Sequence, residues 1–503
     1  MTTLIKNATI VDGTLKPPFT GDIFIKNDVI SAIGNLGRQK AKNIINASQN
    51  YVSPGFIDVN TSSDHYLSLF SNPQQQDFLL QGVTTIFGGL CGSSLAPLMY
   101  GELISIRKWA SETEKLNIDW NSVGEFLKVL ERRGLGVNFG TLVGHSTIRR
   151  SLLSESIRDL TNSELDVFEK ILQKSIKEGV YGLSTGLGYV HARNTPHTEL
   201  THFINVVSRH GGVYATHLRD EGHGLLVSIK ETIDIAKETK SKVLINHLRP
   251  LIGYELEYNK AIQMLDESAQ DTSIYFDLYP FKMSHVPIYH FLPNWAQNGG
   301  IEIMLKNVKN KSNRAQIISH LHFKEGGREI TIASAPRFEY LEGKTLREFS
   351  EKRNISVEEG LLKLMELTSL KCTVLYENID YELVKKTLAH KKALVSSNAE
   401  SLPLGKFKSD RSTKTFTKFL DLVFAEKLLS IEVAIAKLTS IPASLYGLKN
   451  RGLLKEGMKA DITIFSHNEK SGTEIEHVFV NGNHSVENKV LIGGRSGEIL
   501  RKA

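Results

Sequence analysis

The chain has little cysteine: two residues in 503, Cys91 and Cys372. That argues against a disulfide framework and suits a reducing cytoplasm. Long apolar runs are missing too. The longest are strand-sized, so no transmembrane helix and no membrane partner are expected. Nor is there a long basic run. Lys and Arg are scattered and the formal charge is only +6, so nothing points to a nucleic-acid partner. The opening MTTLIKNATIVDG lacks the apolar segment and cleavage site of a secretory leader. The expectation is a cytoplasmic protein.

What is present is ordinary soluble-globular composition, 41% hydrophobic and 23% charged. The length exceeds one ordinary core but fits a barrel plus a small accessory domain. Both chain ends read as short strands. Leu4-Ile5, Thr9-Ile10-Val11 and Asp22 to Ile25 lie at the start. At the end, Ala460 to Phe465 and His477 to Val480 are followed by Asn481-Gly482, a strong hairpin-turn signal. The middle alternates apolar runs with amphipathic helical patterns such as 163–178 and 225–238, which implies parallel βαβ units. The runs end near Val59, Phe87, Val143, Ser184, Thr216, Asn246, Asp277 and Ser396. Eight is the number of a (β/α)₈ barrel. The expected division is a small β domain, a β-sandwich, from 1–53 plus 450–503, and a barrel over 54–449 with an insertion at about 291–350. Cys372-Thr373-Val374-Leu375 is a further strand-like run without a clear place.

Chemistry in such a barrel sits where strands end. His217 and His247 each follow an apolar run, and Cys91 follows Thr84 to Phe87 by a short glycine-rich turn. Two imidazoles and a thiol suit zinc, which takes N and S ligands and leaves one position for water in catalytic sites. Each residue also has a plain structural reading: a hydrogen-bonded strand-end histidine, or a packed lone cysteine.

Several strings, in order, resemble a known family. Pro54-Gly55-Phe56-Ile57-Asp58 is similar to the start of an amidohydrolase barrel. Gly89 to Pro97, Leu142 to His145, Gly182 to Leu187, Thr216 to Glu221, Asn246 to Arg249, Asp277 to Pro280 and the closing Arg451-Gly452…Ala460-Asp461 resemble the N-acyl-D-amino-acid deacylases. The resemblance runs from about residue 3 to residue 483. It implies an amidohydrolase-type barrel, with Cys91, His217 and His247 as ligands of one zinc ion. The implied substrate is an acylated amino acid with a free carboxylate, held by Arg249 (where the family usually has Lys), Tyr189, Tyr279 and Arg219. His145 is a second choice, as a support for a ligand.

The chain departs from the family at three places. The first barrel strand of the family ends in a His-x-His pair feeding a second metal position; here Asn60-Thr61-Ser62 stands there. Neither Asn nor Ser is a good zinc ligand, and His65 would substitute only if its loop refolded. His320-Leu321-His322 has the right pattern but falls in the insertion. The catalytic Asp of the family's Ser-Asp-Gly string is Asn398 here, and an amide takes no proton at neutral pH. A His-Pro-Arg string is replaced by Lys408-Ser409-Asp410-Arg411. The catalytic group is thus unassigned. Two main readings stay open: zinc-assisted hydrolysis of a linear amide with the second metal position lost, or a catalytically degenerate homologue with a binding, assembly or changed non-hydrolytic role.

Overall fold

The computed structural model describes residues 2–99, 104–106, 118–154, 156–297, 300–321 and 329–502. Eight parallel strands form the barrel: β1 (Phe56–Asp58), β2 (Val83–Gly88), β3 (Asn138–Thr141, continued by Val143–Gly144), β4 (Gly182–Gly186), β5 (Val213–His217), β6 (Lys242–Ile245), β7 (Ser273–Leu278) and β8 (Ala393–Val395). Leu142 interrupts β3, so its first part pairs with β2 and its second with β4. The ring closes between β8 and β1. There the Asn398 N–H donates to the Asn60 carbonyl at 2.9 Å and the Ser62 N–H to the Ala399 carbonyl at 2.8 Å.

The strands are buried on both faces, which is why they read as continuous apolar runs. Ile57, Phe87, Val213, Ala215, Leu244 and Leu394 form an inner cluster into which Tyr446 inserts, its ring 3.6 Å from that of Phe87. The helical patterns at 163–178 and 225–238 are the helices Asn162–Lys177 and Leu225–Thr239. Thr161 and Glu164 start the first with a reciprocal capping box, satisfying two of its orphan N–H groups.

The two chain ends share one nine-stranded sheet. Tyr51–Pro54 pairs antiparallel with Ile462–Asn468, joining the N-terminal strands to the C-terminal ones. Asn481 and Gly482, both at positive φ, make the tight turn between Gly472–Val480 and Asn483–Glu487. A Cβ at Gly482 would lie 1.9 Å from the Asn27 carbonyl oxygen, so only glycine fits. Arg451 is buried against Asp461, and Asn138 of β3 donates to the same carboxylate at 3.0 Å, fixing the sheet to the barrel.

Between β7 and β8 lies an insertion wider than the 291–350 stretch. Its sheet is built from Met283–Pro287, Ile330–Ser334 and Thr373–Glu377, all antiparallel. The Cys372 run is therefore the centre of this sheet. Strand pattern alone does not say which sheet a strand joins, and these three are far apart in sequence. Ile288, Val308, Ile332, Phe349, Leu361 and Val374 belong to a core of its own. His320 ends the helix Lys311–His320, while His322 lies outside the described residues.

Candidate metal centre

Three strands deliver the cluster. β5 ends on His217, its neighbour β6 runs into Asn246-His247, and β2 runs through Gly89-Leu90 to Cys91. Cys91 (φ 49°), His247 (φ 39°) and Asn398 (φ 44°) all take the left-handed conformation, which non-glycine residues hold only when their surroundings enforce it. The ligand atoms of Cys91, His217 and His247 lie within 4.8 Å of one another. Cys91 Sγ is 3.4 Å from His247 Nε2. With Zn–S of about 2.3 Å and Zn–N of about 2.0–2.1 Å, the S···N edge of a tetrahedron is about 3.6 Å, so the observed spacing fits.

The surroundings select which histidine atom faces the cluster. Glu221 Oε1 lies 3.2 Å from His247 Nδ1, leaving Nε2 toward the sulfur. This is the carboxylate–histidine arrangement that orients metal ligands. Burial opposes the charge of His247, but Cys91 and Glu221 outweigh it and hold the imidazole up at about 10. Burial likewise opposes the charge of Glu221, yet Arg249, His247 and His217 keep it far below the usual carboxylate range. The ring of Tyr189 packs 4.8 Å from that of His217. A Cβ at Gly188 would lie 2.8 Å from His217 Nε2, so the close approach needs glycine there.

Among the described residues, the other half of the site holds no such cluster. Asn60 Nδ2 donates to both oxygens of Asp277 at 3.2 Å. Asp277 also accepts from Asn246 Nδ2 and the His247 N–H, each at 3.1 Å, and from the Ser396 hydroxyl. Asp58 accepts from the N–H groups of Asn60 and Ser397. Burial pushes Asp58 up to about 7 and raises Asp277 as well. Ser62 is buried, its backbone linked to Ala399 and Tyr66. His65 does not substitute as a ligand: its Nε2 is 3.0 Å from the Ser93 carbonyl oxygen, outside the three-residue cluster.

Arg249 reaches Glu221 and donates to Ser284 Oγ at 2.9 Å. The Arg411 guanidinium lies 4.2 Å over the ring of Tyr279. Among the described residues, Arg249 Nε, Arg411 Nη1 and the Tyr279 hydroxyl are buried without a hydrogen bond of ordinary geometry, Tyr279 and Arg249 lying beside each other. Two cations and a hydroxyl with unused capacity suit a carboxylate. Arg411 is absent from the sequence expectations, where its string is read for the histidine it lacks. Its signal was a basic residue opening the long helix Asp410–Ala425, from which the Arg411 side chain turns back to the Ser397 and Asn398 carbonyls.

Two expectations need correction. The guanidinium of Arg219, expected to hold the substrate, is instead taken up by Glu231 and the carbonyls of Arg193 and Thr195. The chain turns after β5, so two residues beyond His217 no longer means the same side. His145 does not support a ligand: it pairs with Glu199 at 2.8 Å, beside Arg149.

Comparison with known proteins follows the same lines. The amidohydrolase family model matches residues 408–485. The D-aminoacylase of Alcaligenes xylosoxydans xylosoxydans is 27% identical over 99% of this chain and 97% of its own length. The N-acyl-D-aspartate deacylase of the same organism is 26% identical over 99% and 94%. The crystal structure of N-acyl-D-glutamate deacylase from Bordetella bronchiseptica, with zinc and a phosphonate mimic of the tetrahedral intermediate, superposes with a TM-score of 0.82 at 23% identity, covering 99% of each chain. Barrel, two-ended sheet and strand-end cluster define an amidohydrolase-type protein. Within that class, the chain is similar along its full length to curated N-acyl-D-amino-acid deacylases.

Proposed function

We propose that this protein hydrolyses the amide bond of an N-acylated D-amino acid, using one zinc ion held by Cys91, His217 and His247. The observation that carries the reading is the S, N, N donor set within 4.8 Å, with His247 oriented by Glu221. Zinc bound there would supply a polarised amide carbonyl and an acidified water. The protein's own groups do the rest. Arg249, Arg411 and the Tyr279 hydroxyl grip the substrate carboxylate and fix the amide relative to the cluster. Tyr189 walls the histidine side and excludes water. Glu221 keeps Nε2 of His247 available for the metal.

The relatives act on acylated D-amino acids by their names, and full-length coverage supports the same substrate class here. The test is deacylation of a panel of N-acetyl-D-amino acids by zinc-loaded protein. Turnover that chelation or Cys91→Ala removes is expected. No product from any member of the panel would defeat the reading.

The Asn60 amide seated on Asp277, together with Asn398, favours a second reading, a homologue that binds acylated amino acids without hydrolysing them. Binding of the panel without turnover would select it.

A further inference from the structure

Among the described residues, two carboxyl oxygens are buried without a hydrogen-bond partner: Asp64 Oδ1 and Glu400 Oε2. They differ in what the rest of the carboxylate does. Asp64 Oδ2 accepts from the Gly89 N–H at 2.6 Å and so holds the turn that leads to Cys91. Glu400 is 5% exposed and stands on the loop leaving β8, two residues beyond Asn398. Loops at this end of a barrel are where its chemistry is placed.

Two series of neighbouring groups, linked partly by charge and partly by packing, run from Glu400 toward the metal cluster. In one, Glu400 interacts with Arg411, which lies over Tyr279; Tyr279 neighbours Arg249, and Arg249 pairs with Glu221, the partner of His247. In the other, Glu400 interacts with Tyr66, which neighbours Tyr289; Tyr289 neighbours Tyr189, whose ring packs on His217. Glu400 thus lies on the β8 loop with Arg411 and Tyr66 as electrostatic neighbours, and Arg411 in turn covers Tyr279 of the candidate carboxylate grip. A buried carboxylate with one oxygen free of hydrogen bonds is suited to accept a proton from water or substrate.

We propose that Glu400 is the proton-transfer residue of this site, in place of the carboxylate missing at Asn398. The inference rests on the hydrolase reading above. As the water oxygen forms its bond to the amide carbon, Glu400 takes the proton that the water releases. It returns that proton to the amide nitrogen as the C–N bond breaks. One water is consumed, a carboxylic acid and a free amino acid leave, and Glu400 ends as it began. Burial pushes Glu400 up to about 7, against Arg411 and with help from Asp77, so the basic form is available at neutral pH. The charged and titratable groups facing it are Arg411, Asp77 and Tyr66.

The test compares zinc-loaded wild type, Glu400→Gln and Asp64→Asn on the N-acetyl-D-amino acid panel, with zinc content and full pH–rate profiles. Glu400→Gln is expected to keep its zinc and its KM within about threefold, and to lose ~10²–10⁴-fold in kcat. The wild-type rate falls as pH drops through about 7, and that acidic limb disappears in Glu400→Gln. Asp64→Asn keeps the limb. Should the Gln variant not fold, Glu400→Asp decides: a lowered kcat with the limb retained supports the proposal, and an unchanged kcat or an absent limb overturns it. Glu400→Gln turning over within threefold of wild type, or loss of the limb only in Asp64→Asn, overturns this inference and leaves the hydrolase reading standing. Wild type without turnover overturns both.

Discussion

At the ends of β2, β5 and β6 a sulfur and two imidazoles converge, and Glu221 orients one of them. At the seam of β1 and β8 the polar groups have instead turned onto one another. Asn60 and Ser396 sit on Asp277, and the Asn60 and Ser397 amides sit on Asp58. The first half brings three potential metal ligands within 4.8 Å of one another. The second has become part of the barrel interior. At the seam the amides and hydroxyls satisfy lone pairs of two buried carboxylates, which lowers the cost of burying them.

The sharpest break in the comparison is on the cluster side. Cys91→Ala or His217→Ala is expected to abolish metal retention and turnover together, read by elemental analysis and the substrate panel. Glu221→Gln should lower zinc affinity by about 10–100-fold, measured by competition with a chromophoric chelator, since its carboxylate orients His247. On the seam side the effects should fall on stability. Asn60→Ala leaves Asp277 without two contacts and should cost about 1–3 kcal/mol in denaturant unfolding, with zinc content unchanged.

The seam should also set a pH dependence of stability. Asp58 is raised from 3.8 to about 7, so between those values the folded protein holds a proton that the unfolded chain has released. Its contribution is full below about 4 and is lost as pH rises through about 7. Glu400, also raised to about 7, acts with the same sign. Stability measured by denaturant should therefore fall from pH 4 toward 7, and the slope should shrink in Asp58→Asn. A slope unchanged by that substitution would contradict the assignment. The smallest expected effect is that of Asn398→Asp. Its backbone is already fixed to Asn60 and Arg411, and the carboxylate it adds restores no second metal position, so turnover should stay within about threefold.

Much of the fold was legible because parallel strands buried on both faces leave continuous apolar runs, and each of the eight runs ends within about two residues of a barrel strand. The insertion was legible only in part. The run at Cys372 to Leu375 reads as a strand without a clear place, and only its pairing with Met283–Pro287 and Ile330–Ser334 assigns it to the insertion. At the site, Cys91, His217 and His247 stood out as metal-ligand types at strand ends. Arg219 misled because residue spacing was extended past the strand, where the chain bends toward Glu231. Arg411 and Glu400 left little trace. One opens a helix and the other sits in a loop, and neither position has a periodicity that reveals burial.

The measurement that bears most directly on the account is the zinc content of purified wild type beside His217→Ala, by elemental mass spectrometry after loading and exhaustive dialysis. The account predicts about one zinc per wild-type chain and none in the variant. Wild type without retained zinc, or a variant that keeps it, would contradict the assignment of Cys91, His217 and His247 as the metal centre.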